Sequence, residues 1–141
     1  MMKVVLDTNV IISGMINGEG TPAQIINLLI NGRITLLYDD RILKEYEEVL
    51  NRKKFNFKRS ALNPILDYIK KDGEYVTAEP INKKFVDNDD KAFYEVAKTA
   101  GAKFLVTGNK DHYPNEEIVK SPKEFIELYL SENESEKAGT T

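Results

Sequence analysis

Acidic residues in four segments of this 141-residue chain stand where carboxylates could do chemistry. Asp7 directly follows the strand-like run Lys3–Leu6 (KVVL) and precedes Thr8-Asn9-Val10. Glu45 lies three residues past Ile42 and four before Val49, which puts it within or beside the apolar stripe of a helix carrying Ile42, Leu43, Tyr46, Val49 and Leu50. Asp87, Asp89 and Asp90 crowd into four residues at a helix start, where one acid would suffice for the helix dipole and three repel one another unless cations are present. Asp111 is a further acid beyond the strand Lys103–Thr107, two residues past Asn109. Each has an ordinary structural reading: Asp7 and Asp89 or Asp90 as helix caps, Glu45 as an edge glutamate reaching water. Taken together, carboxylates from four distant segments converging on one pocket would form a set of hard oxygen ligands suited to magnesium or manganese.

Composition narrows the alternatives. The chain has no cysteine, which excludes a disulfide framework, a thiolate metal site and a cysteine nucleophile. Its one histidine, His112, excludes a multi-histidine zinc site within one chain. A net charge of −3 argues against coating nucleic acid by bulk positive charge, but not against an acidic pocket neutralised by divalent cations. No apolar run approaches the roughly 18 residues of a membrane span. The start reads as neither signal peptide nor anchor, so the expected location is the cytoplasm with no membrane partner.

Strand-like and helix-like segments alternate along the chain. Lys3–Leu6, Ile34–Tyr38, Glu74–Thr77, Lys103–Thr107 and Glu117–Val119 read as strands. Thr21-Pro22-Ala23-Gln24 predicts a capped helix start with Thr21 as the cap, and Gly32 its end. Asp39 or Asp40 is expected to cap the helix of Glu45. Asn63 is expected to cap a helix over Pro64–Lys71, and Asp89 or Asp90 one that stops at Gly101. Ser121-Pro122-Lys123-Glu124 is a capping box. The expectation is an α/β domain over residues 1–130, a three-layer α/β/α sandwich with a central parallel sheet of four to five strands. The polar Ser131–Thr141 reads as a frayed tail. Ligands of such sheets bind outside the carboxyl ends of the strands, which would put Asp7 and Gly108–Asp111 on one edge.

The motifs resemble those of the PIN-domain family. VVLDTNVIISG is similar to its opening strand and Asp-Thr-Asn; Glu45 in ILKEYEEVL to its helical glutamate; Asp90 in DDKAFYEVA to its next aspartate; and FLVTGNKDHYP to its strand followed by Thr-Gly-Asp or Thr-Gly-Asn. The resemblance covers residues 2–130 and looks closest to the branch described as toxin components of toxin–antitoxin pairs. It implies a metal-dependent endoribonuclease acting on RNA, with Asp7, Glu45 and Asp90 as ligating, catalytic acids and Mg2+ or Mn2+ as cofactor. The family's fourth acid falls at Asn109 here, whose amide oxygen can bind but brings no charge, and Asp111 is the candidate substitute. Thr8, Asn9, Ser13 and Thr107 are candidates to orient the ligands by hydrogen bonds, Ser13 equally for local turn bonding.

Two other readings compete. A haloacid-dehalogenase-type phosphatase would fit LDTNV, but its second aspartate is Asn9 here and its late acidic pair should follow Thr107 rather than precede it. A non-catalytic RNA- or partner-binding module would fit Asn109. The expected partners are RNA, an antitoxin protein and a second copy of the chain. The homodimer expectation rests on rings numerous for one small core: Tyr38, Tyr46, Phe55, Phe57, Tyr68, Tyr75 and Tyr94, with helices over 21–72 at the interface. The basic run Arg52–Arg59 (RKKFNFKR) offers phosphate contacts, while its phenylalanines read as anchors to the core.

Overall fold

The computed structural model describes residues 1–139, with side chains as far as Glu134. The chain runs β1 (Met2–Leu6), α1 (Thr8–Ile16), α2 (Thr21–Ile30), β2 (Ile34–Tyr38), α3 (Asp40–Leu50), α4 (Arg59–Asp72), β3 (Glu74–Tyr75), α5 (Asp90–Ala100), β4 (Phe104–Val106), a 3-10 turn (Lys110–His112), β5 (Val119–Lys120) and α6 (Pro122–Gly139). The five strands pair in parallel in the order β3-β2-β1-β4-β5. Val4, Val5 and Leu6 are all fully buried, without the in-and-out alternation of a one-sided strand, because helices cover both faces of the sheet. One group of helices, α1, α2 and α6, packs together; α3, α4 and α5 form the other, with α5 lying against β1, β2 and β4. This is the three-layer α/β/α sandwich expected from the alternation of segments.

Local chemistry sets the element ends. Asp39 caps α3, its carboxylate accepting from Ile42 N at 3.0 Å. The Ser121–Glu124 capping box forms in both directions. Gly101 ends α5 in the left-handed conformation (φ +63°). At Gly14 a Cβ would lie 2.9 Å from the carbonyl oxygen of Pro22, so only glycine lets α1 and α2 approach this closely.

Several expected ends differ. Thr21 does not cap α2: Gly20 holds that position with no side-chain bond, and Thr21 is already helical. Asn63 does not start α4. The helix begins at Arg59 and runs through Pro64, since the backbone bond that proline deletes would go to the carbonyl of exposed Ser60, which water can satisfy. Neither Asp89 nor Asp90 caps α5 through its side chain; Asp87 accepts from Asp89 N instead. The polar stretch from Ser131, expected to fray, continues α6 to Gly139. Its Glu132 pairs with Lys103, tying the helix to the sheet, while residues 140–141 lie outside the described residues. Of the rings invoked for an interface, Tyr38, Tyr46 and Tyr94 are core residues and Tyr75 is exposed.

Candidate active site

The strand order reverses beside β1, which has β2 on one side and β4 on the other. Register aligns Leu6 with Val106, so the residues that follow, Asp7 and Thr107, come side by side at the carboxyl edge of the sheet. Asp7 N donates to Val106 O at 2.9 Å. Asp7 occupies the N-cap position of α1, yet its side chain makes no capping bond. Its Oδ2 instead accepts from Thr107 Oγ1 and from Tyr113 OH, both at 2.9 Å. Two hydroxyl donors on one oxygen fix the orientation of the carboxylate. Thr107 is fully buried and also accepts from Asn109 N.

Beneath this edge, Tyr46 is fully buried and donates to Leu6 O at 2.5 Å, locking α3 to the end of β1. One residue earlier on α3, Glu45 accepts from Thr8 Oγ1. Asn9 accepts from Gly108 N at 3.0 Å, joining α1 to the turn after β4. Asp90 is buried at the start of α5, and its Oδ2 has no hydrogen-bond partner. His112 Nδ1 lies 3.4 Å from that oxygen, too long for a good hydrogen bond.

The acids act on one another electrostatically. Burial, and then the charges of Asp7, Asp89 and Asp90, push Glu45 up to about 7 against the pull of the Thr8 hydroxyl. Burial and the charges of Asp7 and Asp87 lift Asp90 to about 6. Burial raises Asp7 as well, opposed by the Thr107 and Tyr113 hydroxyls. Tyr113 is pushed far up by burial and by Asp7, so it stays a proton donor. Among the described residues no three His, Asp or Glu side chains close into a ready ligand set. The donor chemistry nonetheless suits a hard divalent cation: a buried carboxylate oxygen without a partner beside acids that resist ionising together.

The other candidates fall differently. Ser13 is exposed on α1 and, among the described residues, makes no hydrogen bond to these acids. Asn109 is exposed after β4. Asp111 is exposed and lines a separate hollow with Lys110, Pro114 and Glu116. A 3-10 turn rotates about 120° per residue, so consecutive side chains diverge, and in Lys110–His112 it is His112 that meets Asp90. Sequence reasoning gave His112 and Tyr113 no role; the polar ring following the Thr-Gly pair was the available signal. It also missed Glu95, an acid on the buried side of α5. Its carboxylate accepts from Arg41 and from Ile81 N, both at 2.7 Å, and Arg41 pairs with Asp39 too. That network clamps α3 to α5 beside the site.

A cleft of about 360 Å³ opens between α3 and α5, lined by Glu45, Asp89, Lys44, Lys91 and Arg52 among others. Asp7 and Asp90 are buried and do not line it.

A parallel sheet with buried acids at the carboxyl edge of its central strands, at the point where strand order reverses, defines a class of α/β proteins with a ligand site at that switch point. Within that class the chain belongs to the PIN-domain family, whose model matches residues 3–111, a span that holds Asp7, Glu45, Asp90 and Asp111. It is 32% identical over 143 aligned residues to an uncharacterized protein of Methanocaldococcus jannaschii, covering 91% of this chain and 92% of that protein. PIN domains are generally nucleases, and nucleases of the family typically use divalent metals. No helix among the described residues is long and apolar enough to cross a membrane.

Proposed function

We propose that this chain is an endoribonuclease that hydrolyses RNA phosphodiester bonds with magnesium or manganese held by Asp7, Glu45 and Asp90. The observation that carries the reading is the buried Oδ2 of Asp90, which has no hydrogen-bond partner and only a 3.4 Å contact from His112, beside two further acids whose ionisation burial suppresses. When bound, a divalent ion neutralises such acids and polarises the scissile phosphodiester. The chain's own groups do the rest. Thr107 and Tyr113 hold Asp7 in one orientation. Thr8 holds Glu45 at the mouth of the cleft, and His112 sets an imidazole ring beside Asp90. The similarity to toxin components extends the proposal to an antitoxin partner and to a homodimer, for which Ile16, Ile30 and Tyr75 offer exposed apolar surface. A non-catalytic RNA-binding module is the second reading, favoured by the uncharged Asn109 and by Asp111 facing another hollow.

The test is cleavage of a labelled single-stranded RNA by purified protein with manganese, with magnesium and with chelator, beside Glu45→Gln. Slow cleavage with either metal, and none in chelator or in the variant, is expected. Equal cleavage in chelator would overturn the proposal, and no cleavage under any condition would leave the binding-module reading.

A further inference from the structure

Positive charge concentrates in the loop between α3 and α4. Arg52, Lys53, Lys54, Lys58 and Arg59 fall within eight residues that contain no acid. The chain carries −3 in all, so without these five cations its balance would be −8. Among the described residues only Arg52 has an acidic partner, Glu48 at 3.9 Å, the long limit of an ion pair. The other four are exposed. Unneutralised cations held this close repel one another, a cost that a bound polyanion removes.

The loop has a defined shape. Phe55 N donates to Arg52 O and Asn56 N to Lys53 O, both at 3.1 Å. Asn56 is left-handed (φ +52°), the only non-glycine residue in that state among the described residues, and asparagine tolerates it better than most. The reversal sets Phe55 and Phe57 parallel, with centroids 5.4 Å apart and planes 8° from each other. Phe57 packs against the core, as an anchor should. Phe55 does not belong to that core; it stacks on Phe57 and is only half-buried, with Lys54 Nζ 5.1 Å from its centroid. Arg52, where the loop begins, lines the same cleft as Glu45. Arg52 follows Glu45 by seven positions and stands two past the end of α3, about 10 Å away at roughly 1.5 Å per residue.

We propose that the Arg52–Arg59 loop binds single-stranded RNA as the strand leaves the α3–α5 cleft, with Lys53, Lys54, Lys58 and Arg59 on phosphates and Phe55 stacking on a base. The proposal rests on RNA being the substrate. One ring on a narrow turn suits an unpaired base, because bases inside a duplex are already stacked. An acidic polypeptide would match the charge of the loop but offer Phe55 nothing planar.

Fluorescence anisotropy tests this with labelled oligouridylate, the same length of RNA duplex, and poly-glutamate as competitor. The full chain carries Asp7→Asn and is kept in chelator, so binding is read without cleavage. Relative to that parent, adding Lys53→Ala, Lys54→Ala and Lys58→Ala together should weaken single-strand binding about tenfold and reduce the salt slope by about 2. Adding Phe55→Leu, which keeps apolar bulk over Phe57, should weaken single-strand binding about fivefold with the salt slope and duplex binding unchanged. Melting curves establish that each variant is folded. Affinity unchanged in the lysine variant, or unchanged in Phe55→Leu, would overturn the proposal. So would poly-glutamate competing as well as RNA, which would assign the loop to a protein partner. Absence of cleavage by the wild-type chain would sink the nuclease reading and leave these affinities standing, so the two failures are distinguishable.

Discussion

Replacing Asp7 by asparagine should make the metal-free protein more stable while removing its response to divalent ions. Asparagine keeps the volume, and its Oδ1 can take over the bonds from Thr107 and Tyr113. What it removes is a buried charge that bears on two neighbours. Lifting Glu45 from 4.5 to about 7, and Asp90 from 3.8 to about 6, costs each ionised form about 3 kcal/mol above neutral pH. Burial of each group is the largest cause, so the charge of Asp7 supplies only part of either cost, and solvent around half-buried Glu45 screens its share further. Relief of that part gives a gain on the order of 1 kcal/mol near pH 7.5, or about 3–4 °C in Tm for a domain of this size, and relief of Asp7's own burial acts in the same direction. At pH 5 the neighbours are largely protonated and the gain should shrink. Calorimetry in chelator reads the gain, and the same scans with manganese read the metal response. Wild type should rise in Tm with manganese, and Asp7→Asn should not. A variant that is less stable than wild type in chelator at pH 7.5, or that responds to manganese as wild type does, would refute the electrostatic account of the site.

Two further outcomes follow from the same structure. Folded pKa values raised at Glu45, Asp90 and Asp7 mean stability that is fully present below about pH 4 and lost as pH rises through about 6 to 7. Glu124, lowered to about 2 by Lys110 and the Ser121 N–H, acts oppositely: its contribution is present above the usual glutamate range and lost in strong acid. Metal-free protein should therefore melt highest near pH 4 to 5, and magnesium should flatten the decline towards neutral; a Tm rising steadily from pH 5 to 8 in chelator would contradict this. The proposed homodimer is checked by light scattering at micromolar concentration, where twice the chain mass of 16.1 kDa is expected and a monomer mass across a tenfold dilution would remove it.

Much of the fold is legible in the residues. The apolar runs at Val4–Leu6 and Ile34–Tyr38, the Asp39 cap, the Ser121–Glu124 box and the stop at Gly101 each act within a few positions, so local chemistry decides them. The acids of the candidate site could be singled out because each stands at an element end or on an apolar stripe, where a charge has a reason to be. What each acid does there depends on contacts across the chain. The side-chain hydrogen bonds of Asp7 come from residues 100 and 106 positions away, and no capping bond forms to α1, so its local reading as a cap gave way. Whether His112 or Asp111 reaches Asp90 turned on the rotation of one 3-10 turn, and the role of Tyr113 on where the chain next met the sheet edge. The passage of α4 through Pro64 depended on solvent around the Ser60 carbonyl, which sequence spacing does not display. Periodicity and capping are short-range properties that a sequence displays directly. Which oxygen is left buried without a partner is decided only when distant segments pack, and that is the property on which the proposed chemistry of this chain rests.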